Sequence, residues 1–433
     1  MSQPKNLSAD ILVIGGGPAG LMAAIAASSM GQKVIVLEKM PRPARKLGIT
    51  GKGRCNLTNS ADMKIFLKSF ASGEKFIRFA LEKFSNQDLL DFLARHNVET
   101  VEERGGRIFP ATQKAETVVR CLLNAAAKNK VLIRTCCRVK DLVIEDRVVQ
   151  GVRVQEAPAG GPGPAGQKFY ACGKIIVATG GASYPATGST GDGYKLAQSA
   201  GHSLTPILPG LVPLESEDSR AKLMQGLTLR NVQAAVHVQG RKQDEQFGEM
   251  IFTHFGVSGP IILTMSKAAV KALNANQQVE LIIDLKPAVS HNLLKNRIAR
   301  EMHSQGRKKI ANILKNFLPL KMIPVFLEYS RIAPDTRGCE ITKAQQKALR
   351  LWCKELKMTI SGCRSFNEAI ITAGGINLSE VNPRAMESRL VQGLYFAGEI
   401  LDIDADTGGY NLQAAFSTGW TAGRAAAHKC ITS

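Results

Sequence analysis

The feature that most constrains this chain is a glycine-rich turn near its start, GGGPAG at 15–20. The turn follows an apolar stretch, residues 9–14, that is typical of a buried parallel strand, and an alanine-rich helix is predicted over Pro18–Met30. Glycines stand where they allow a tight turn, a close approach of backbone to a pyrophosphate, and close packing of helix on strand. The turn therefore predicts a βαβ unit whose phosphate site lies at a helix N-terminus.

An acidic residue supports the same interpretation. The next predicted strand is Lys33 to Glu38, and Glu38 lies 18 residues beyond Gly20. At this place a carboxylate would bind the ribose hydroxyls of an adenosine, which favours a free ribose over a 2′-phosphate. The three-glycine pattern alone is weakly specific, but here strand, helix and acid coincide.

A second motif lies near the other end of the chain. The segment GLYFAGE, 393–399, reads as a strand that ends in small residues and an acid, Glu399, and GGYN at 408–411 opens a helix. In FAD-binding folds such an acid holds the ribitol chain. The helix N-terminus can direct amide groups and a partial positive charge at the N1–C2 edge of the isoalloxazine ring. A domain for NAD alone has no use for this element, so the two motifs together predict non-covalent FAD.

Two further segments are expected to line the same pocket. ATGG at 178–181 is a strand end whose glycines let the chain pass near the pyrophosphate, and the polar stretch 184–193 continues from it. The segment KLGITGKGRCNLTN, 46–59, combines glycines with cations that could meet phosphates or a developing anion. Outside the glycine- and proline-rich stretch at 157–167 there is no second GxGxxG, so a nicotinamide donor, NADH or NADPH, would have to dock transiently over the flavin.

Two residues have alternative interpretations. Cys55 could donate a proton beside the flavin, or it could be a small residue packed beneath the ring. His254, in GEMIFTHFGVSGP at 248–260, could act as a substrate-side acid or base, or it could be a hydrogen-bonded structural histidine.

Charge adds an expectation about the partner. The 433 residues carry 56 Lys and Arg against 36 Asp and Glu, a net charge of +20. Residues 286–357 hold 16 of these basic residues and 5 of the acidic ones, and a second basic cluster runs from Lys33 to Arg54. Such a field suits a polyanionic partner, such as nucleic acid or an anionic membrane, although a generally basic, solvated surface would give the same total.

Other classes of protein fit less well. The sequence has no run of eighteen apolar residues, so no membrane span is predicted. Its polar start does not resemble a secretion signal, so we expect a cytoplasmic protein. None of the nine cysteines forms a pair with the two-residue spacing of a zinc or dithiol site, so we expect no metal and reduced thiols.

The chain as a whole is predicted to be α/β, with a split Rossmann-like FAD-binding domain and two insertions. We expect the FAD domain to comprise 1–204 and 361–433, with a β-rich domain at 205–286 and a basic helical domain at 287–360. A glycine- and proline-rich stretch at 157–167 is predicted to be a hairpin tip.

These motifs resemble those of the bacterial flavoproteins described as aminoacetone-oxidase-like or YhiN/BaiN-like NAD(P)/FAD-dependent oxidoreductases. The resemblance covers nearly the whole chain, with Thr50-Gly51 where the family has Ser-Gly and with an atypical insert at 157–167. It rests on the Gly15–Gly20 turn, GRCN-x-TN within 46–59, ATGG-x-SYP-x-TGS-x-GDGY (178–194), GEM-x-FTH-x-G-x-SGP (248–260), TAGGI (372–376) and GLYFAGEILDIDADTGGYNLQAAFSTG (393–419).

The resemblance implies a GR2-type FAD fold with a β-barrel-like insert and a small helical insert. It also implies reduction of an activated carbon–carbon double bond: uridine to dihydrouridine in large-subunit ribosomal RNA, or a bile-acid or steroid-like enone. A flavin-bearing RNA-binding assembly factor without turnover is a third alternative. For the reductase, hydride would pass from flavin N5 to the β-carbon of the enone and a proton to the α-carbon.

Candidate residues follow from the motifs and the resemblance. Those expected to act in catalysis are Cys55 as proton donor, Lys46 or Arg54 as the cation that stabilises the anion, and His254. Those expected to hold the cofactor are Gly15, Gly17, Pro18, Ala19, Gly20, Glu38, Lys39, Lys46, Gly51, Gly53, Arg54, Cys55, Asn56, Val139, Thr179, Gly180, Gly181, Gly398, Glu399, Asp404, Gly408, Gly409, Tyr410, Asn411 and Leu412. The segment expected to contact RNA is 286–357.

Overall fold

The computed structural model describes residues 9–70, 73–156 and 166–428. The predicted hairpin tip, 157–167, lies outside the described residues except for its last two positions. The strands are β1 (Ile11–Ile14), β2 (Val34–Leu37), β3 (Thr58–Asn59), β4 (Thr100–Glu103), β5 (Arg107–Pro110), β6 (Leu132–Arg134), β7 (Cys137–Glu145), β8 (Val148–Glu156), β9 (Gly166–Ala171), β10 (Ile175–Val177), β11 (Leu208–Gly210), β12 (Leu214–Glu215), β13 (Thr228–Val238), β14 (Arg241–Phe252), β15 (Gly256–Ser258), β16 (Val279–Asp284), β17 (Leu356–Ile360), β18 (Gly362–Cys363), β19 (Ile371–Ala373) and β20 (Leu394–Phe396). The α-helices are α1 (Pro18–Ser28), α2 (Arg45–Ile49), α3 (Met63–Lys68), α4 (Glu74–Lys83), α5 (Asn86–Arg95), α6 (Ala115–Lys128), α7 (Asp192–Ser199), α8 (Ser219–Leu223), α9 (Pro260–Asn274), α10 (His291–Ser304), α11 (Ile310–Ile313), α12 (Met322–Tyr329), α13 (Lys343–Lys354) and α14 (Tyr410–Ala427).

The chain forms two compact units. The first comprises Met1–Leu208 and Ile370–Ser433, and the second comprises Pro209–Ala369. Nearly all of the predicted β-rich and helical insertions falls in the second unit. Strand β17, from the predicted helical segment, pairs with β16, from the predicted β-rich segment, so both segments contribute to one sheet.

A parallel sheet of five strands forms the centre of the first unit, in the order β20-β10-β1-β2-β6. Its inner strands are continuous apolar runs, such as ILVI in β1 and VIVL in β2, and every residue of these two strands is buried. Runs of this kind are typical of parallel strands covered on both faces. The chain leaves β1 toward β2 on one side and returns to β10 on the other, so a crevice opens at the carboxyl ends of β1 and β10.

Helices α1 and α14 cross at a place where both sequences carry small residues. A Cβ atom added at Gly419 would lie 2.3 Å from the Ala19 carbonyl oxygen, and one added at Gly423 would lie 2.2 Å from that of Ala23. The two backbones therefore touch, and no side chain separates them. This contact fixes the N-terminus of α14 relative to that of α1.

In the second unit, seven strands form an antiparallel sheet in the order β17-β16-β13-β14-β15-β12-β18. The helices that follow β16 are amphipathic: α10 buries Leu294, Ile298 and Met302, whereas Lys295 and Arg300 are exposed. Side-chain hydroxyls cap these helices, Ser290 at α10 and Thr342 at α13. Within 9–70, 73–156 and 166–428, no helix has both the length and the apolar character that crossing a membrane requires.

Candidate functional site

The glycine loop between β1 and α1 has the geometry that its sequence predicts. Gly15 has φ +101°, and a Cβ there would lie 2.5 Å from the Ala178 carbonyl oxygen. A Cβ at Gly20 would lie 1.9 Å from the carbonyl oxygen of Gly15, whereas one at Gly17 would meet no atom within 4 Å. The first and third glycines therefore permit close packing, and the second leaves open space at the N-terminus of α1.

The acid at the end of β2 is oriented by this loop. The Glu38 carboxylate accepts hydrogen bonds from the backbone N–H of Gly16 (2.8 Å) and of Met40 (2.7 Å). Next to it, the Lys39 ammonium donates to Thr190 Oγ1 (2.5 Å) and to Asp192 Oδ2 (2.9 Å). Glu38 is thus fixed at the carboxyl edge of the sheet, and Lys39 joins that edge to the polar stretch after β10.

The N-terminus of α14 is built around a glycine that no other residue could replace without strain. Gly409 has φ +100°, and a Cβ there would lie 2.4 Å from the Thr58 carbonyl oxygen. The Asn56 amide, oriented so that both its ends are satisfied, accepts from Gly409 N–H (3.1 Å). The Asn411 side chain closes the preceding loop by bonding both backbone groups of Ala405 (2.8 and 2.9 Å). No side chain of the described residues caps α14, so its first amide groups have no side-chain acceptor.

These features fit FAD. The N-termini of α1 and α14 both lack a side-chain cap among the described residues, and the open space at Gly17 suits a pyrophosphate. Thr58 Oγ1, in the strand against Gly409, is buried and has no hydrogen-bond partner among the described residues. A bound polar group at this end of α14 would satisfy it.

At the same edge, polar groups from α2, from β19 and from the segments that follow β10 and β20 form one hydrogen-bonded cluster. The Lys46 ammonium donates to Glu399 Oε2 (2.8 Å) and to Ser183 Oγ (2.5 Å). Glu399 Oε1 also accepts from the Thr372 N–H (2.7 Å) and from Ser183 Oγ (3.1 Å). Lys46 and Glu399 are each about one-fifth exposed, so the ion pair can be reached by a ligand.

The sequence interpretation singled out Lys46 and Glu399 separately but did not predict that they form an ion pair. It also missed Ser183 and Thr372, although both lie in the segments SYP and TAGGI that carry the family resemblance. Ser183 lies in the segment that follows β10, whose carboxyl end is at this edge, so its position in the sequence was a usable signal. Thr372 lies within β19, outside the five-stranded sheet, and gave no such signal.

Cys55, the expected proton donor, lies in an apolar part of the core. The residue is completely buried and belongs to an apolar cluster with Leu21, Leu57 and Phe416. Burial raises the pKa of the thiol to about 12. These surroundings favour the alternative interpretation, a small residue that fills the core.

We therefore expect a Cys55→Ala variant to retain its turnover number within about twofold, because no reacting group is lost. Its melting temperature should fall slightly, since removing a buried thiol leaves a small cavity. Steady-state kinetics and a thermal melt measure the two effects. A turnover loss of 100-fold with the bound FAD intact would restore the proton-donor assignment.

Arg54 and His254 have different surroundings from Lys46. The Arg54 guanidinium donates from Nε to Gln113 Oε1 (2.7 Å), pairs with Glu103, and lies 4.4 Å from the centre of the Phe109 ring. These contacts hold the β4–β5 hairpin and neutralise the cation. His254 lies in the second unit, where it is exposed and meets the Phe255 ring edge-on at 5.0 Å.

The remaining cofactor candidates of the first unit occupy three places. Val139 is buried in β7 and Asp404 is buried in the loop before α14. Gly51, Gly53 and Gly180 have left-handed backbone, with φ of +61°, +84° and +72°. Pro18 and Ala19 open α1, Tyr410 and Leu412 open α14, and Thr179, Gly181 and Gly398 follow β10 and β20.

A further constellation, absent from the sequence interpretation, has the arrangement of a serine hydrolase triad. His202 Nε2 lies 2.8 Å from Ser388 Oγ, and His202 Nδ1 lies 3.1 Å from Glu380 Oε2. The serine oxygen, however, already accepts from the N–H groups of Leu390 (3.0 Å) and Val391 (2.9 Å). Both lone pairs of this oxygen are engaged in hydrogen bonds to the loop. The three side chains therefore stabilise the loop, and the serine is not a nucleophile. Burial lowers the pKa of His202 although Glu380 opposes the shift, so the ring is neutral near pH 7.

Comparison with known proteins agrees with this geometry. The model of the HI0933-like protein Rossmann domain matches residues 9–425. The chain is 34% identical over 421 residues to the 3-dehydro-bile acid delta(4,6)-reductase of Clostridium scindens, covering 96% of this chain and 98% of that protein. It is 28% identical over 415 residues to the ribosomal RNA dihydrouridine synthase of Escherichia coli, covering 95% and 96%.

Solved structures show the same fold at lower identity. A flavocytochrome c3 fumarate reductase superposes with a TM-score of 0.52 at 16% identity, covering 98% of this chain and 78% of that one. The 3-ketosteroid delta1-dehydrogenase of Sterolibacterium denitrificans gives a TM-score of 0.53 at 13% identity, with coverages of 97% and 99%. At such identities the likeness concerns the fold.

Proposed function

The chain belongs to the HI0933-like Rossmann family of FAD-dependent oxidoreductases, and from that premise we propose that it reduces uridine to dihydrouridine in large-subunit ribosomal RNA, with NADH or NADPH as electron donor. The names of two full-length relatives describe related chemistry. One is a delta(4,6)-reductase of 3-dehydro bile acids, and the other makes dihydrouridine. In both substrates the reduced double bond is conjugated to a carbonyl group.

Such a reduction places demands on the protein side chains. Bound FAD would supply the hydride for the β-carbon of the conjugated system. Negative charge then develops on the carbonyl oxygen until a proton reaches the α-carbon, so a cation near that oxygen lowers the barrier. Lys46 is our candidate for this cation, because it lies at the carboxyl edge of the sheet and remains partly accessible. Arg54 instead lies against the β4–β5 hairpin, where Glu103, Gln113 and the Phe109 ring hold its guanidinium.

Residues proposed to hold FAD follow from the geometry. The Gly15–Gly20 loop would receive the pyrophosphate, Glu38 the adenosine ribose, Glu399 the ribitol, and the first amides of α14 the N1–C2 edge of the ring.

One observation carries the choice of RNA as substrate. In the second unit, most basic residues of 286–357 are exposed to solvent, and many have no ion-pair partner among the described residues. A steroid-like substrate needs no such field, whereas RNA contributes a phosphate at every nucleotide. Among the described residues of this part of the chain, the exposed cations without an ion pair are Lys295, Arg297, Arg300, Arg307, Lys308, Lys315, Lys321, Arg331, Arg337, Lys343 and Lys347.

A second candidate is reduction of a small-molecule enone such as a bile-acid ketone. It is favoured by the higher identity to the bile-acid enzyme, 34% against 28% for the Escherichia coli dihydrouridine synthase. The same Lys46 would serve this reaction, because the charge again develops on a carbonyl oxygen.

Mass-spectrometric mapping of dihydrouridine in ribosomal RNA separates the candidates. We expect a strain that lacks this gene to lose one or more dihydrouridines of the large subunit, and the wild-type gene, but not a Lys46→Met gene, to restore them. If every dihydrouridine persists in the deletion strain, the RNA proposal is wrong. Turnover of a 3-keto-4-ene steroid by the purified protein would then support the second candidate.

A further inference from the structure

The basic cluster between Lys33 and Arg54 separates into paired and unpaired cations. Lys39 pairs with Asp192, Lys46 with Glu399 and Arg54 with Glu103. The other four, namely Lys33, Arg42, Arg45 and Lys52, are exposed and have no ion-pair partner among the described residues. Unpaired cations that lie close together repel one another. This repulsion is screened either by solvent alone or by an anionic ligand that binds among them.

Arg42 and Arg45 stand beside the glycine loop. Between them, the Ala44 N–H donates to the Gly16 carbonyl oxygen at 2.9 Å. The Pro43 side chain approaches the same glycine so closely that a Cβ there would lie 2.9 Å from it. Arg45 also precedes Lys46 in α2. Both arginines are therefore held at the carboxyl edge of the parallel sheet, next to the candidate site.

Lys52 is presented by a stiff turn that follows α2. It has φ +58°, between Gly51 at +61° and Gly53 at +84°. The turn is closed by Cys55 N–H, which donates to the Thr50 carbonyl oxygen at 2.9 Å. A lysine held in the left-handed region is uncommon. The turn fixes the root of the side chain and directs it to solvent.

We propose that Arg42, Arg45 and Lys52 form a phosphate-binding rim that contacts the RNA backbone beside the uridine entering the site. The inference rests on the proposed RNA substrate and deepens it, since it places RNA contacts on the unit that carries the FAD site. Three exposed cations, on α2 and on the segments that precede and follow it, suit successive phosphates of a single strand. The pyrophosphate of FAD is the other possible source of phosphate, but the Gly17 space and the α1 N-terminus already provide for it.

The sheet itself offers a matched control. Lys33 precedes β2, and Lys128 and Lys130 precede β6, so these three cations lie at the amino edge of the same sheet. They too are exposed and without an ion-pair partner among the described residues. Replacing either triple by glutamine changes the net charge equally, but only one triple borders the candidate site.

The test compares holoenzymes that carry Arg42→Gln, Arg45→Gln and Lys52→Gln, or Lys33→Gln, Lys128→Gln and Lys130→Gln, with wild type. The dissociation constant of a fluorescent single-stranded oligouridylate is measured by anisotropy between about 50 and 200 mM salt. Each phosphate contact to a single strand contributes roughly 0.7 to the magnitude of the slope of log K against log salt. Because the rim variant loses three cations, we expect the magnitude of its slope to fall by about 2 and its Kd to rise at least about tenfold. In the control variant, the decrease in this slope should be less than half of the decrease in the rim variant.

The outcomes distinguish the two proposals. Equal slopes for the rim and control variants would overturn the rim, as would loss of bound FAD from the rim variant, which would assign these cations to the cofactor. Persistence of all dihydrouridines in the deletion strain contradicts the proposed function whatever the slopes are. A reduced slope in the rim variant alone, with full FAD content, supports the rim.

Discussion

A Lys46→Met variant should turn over roughly 100- to 1,000-fold more slowly than wild type, the loss typical of removing one group that stabilises a developing oxyanion. The ammonium is held between the Glu399 carboxylate and Ser183 Oγ, at 2.8 and 2.5 Å. Methionine keeps much of the length and volume of the lysine stem but cannot offset charge on the substrate. The effect should therefore appear in the turnover number more than in substrate affinity.

Three measurements make this expectation specific to Lys46. The absorbance ratio of flavin to protein reports bound FAD and should stay close to wild type, because Thr372 N–H and Ser183 still hold Glu399. The rate at which NAD(P)H bleaches the flavin should change little. Lys46→Arg, which keeps the charge, should recover part of the rate. Ser183→Ala, which keeps the ion pair, should cost much less than Lys46→Met. Turnover within threefold of wild type in Lys46→Met would remove Lys46 from the reaction.

A Gly423→Ala variant is expected to be destabilised by about 3 kcal/mol or more, although alanine is normally favoured over glycine inside a helix by roughly 1 kcal/mol. The added Cβ would lie 2.2 Å from the Ala23 carbonyl oxygen, more than 1 Å inside the ordinary contact range of 3.4–4 Å. Because the obstacle is backbone, no rotamer change relieves it, and α14 must move away from α1. The N-terminus of α14 would move with it, so the variant should also bind FAD more weakly.

Thermal unfolding with and without added FAD measures this effect, and the flavin content after purification reports the site. Gly173→Ala is the matched control, since Gly173 lies in the same unit, is exposed and has no atom within 4 Å of an added Cβ. That variant should melt within a degree or two of wild type. If the Gly423→Ala protein were as stable as the control, α1 and α14 could separate to admit the Cβ without loss of stability, and the expectation would be wrong.

Much of the first unit was predictable because its signals are local. The strand–turn–helix around Gly15–Gly20 and the GGYN start of α14 depend on residues that are adjacent in sequence. Helix ends shifted slightly: α1 ends at Ser28 and not at Met30, because Met30 and Gly31 already form a turn.

What the sequence did not predict depends on distant residues. The partners of Lys46 lie 137 and 353 positions away, and only the sheet order brings them together. The surroundings of Cys55 come from α1 and α14, whose crossing is visible only once the two ends of the chain are assembled. A cysteine beside basic residues in sequence can therefore be buried among apolar ones in space.

The crossing of α1 and α14 has a consequence for biosynthesis. About 380 residues separate Ser28, at the end of α1, from Tyr410, at the start of α14. At ordinary rates of translation, roughly 5–20 residues per second, the ribosome needs on the order of tens of seconds to make them. During that time the face of α1 that α14 will cover has no partner, and the second unit emerges in full. The candidate FAD site is therefore completed late in synthesis, and a nascent chain is open to chaperones until α14 docks.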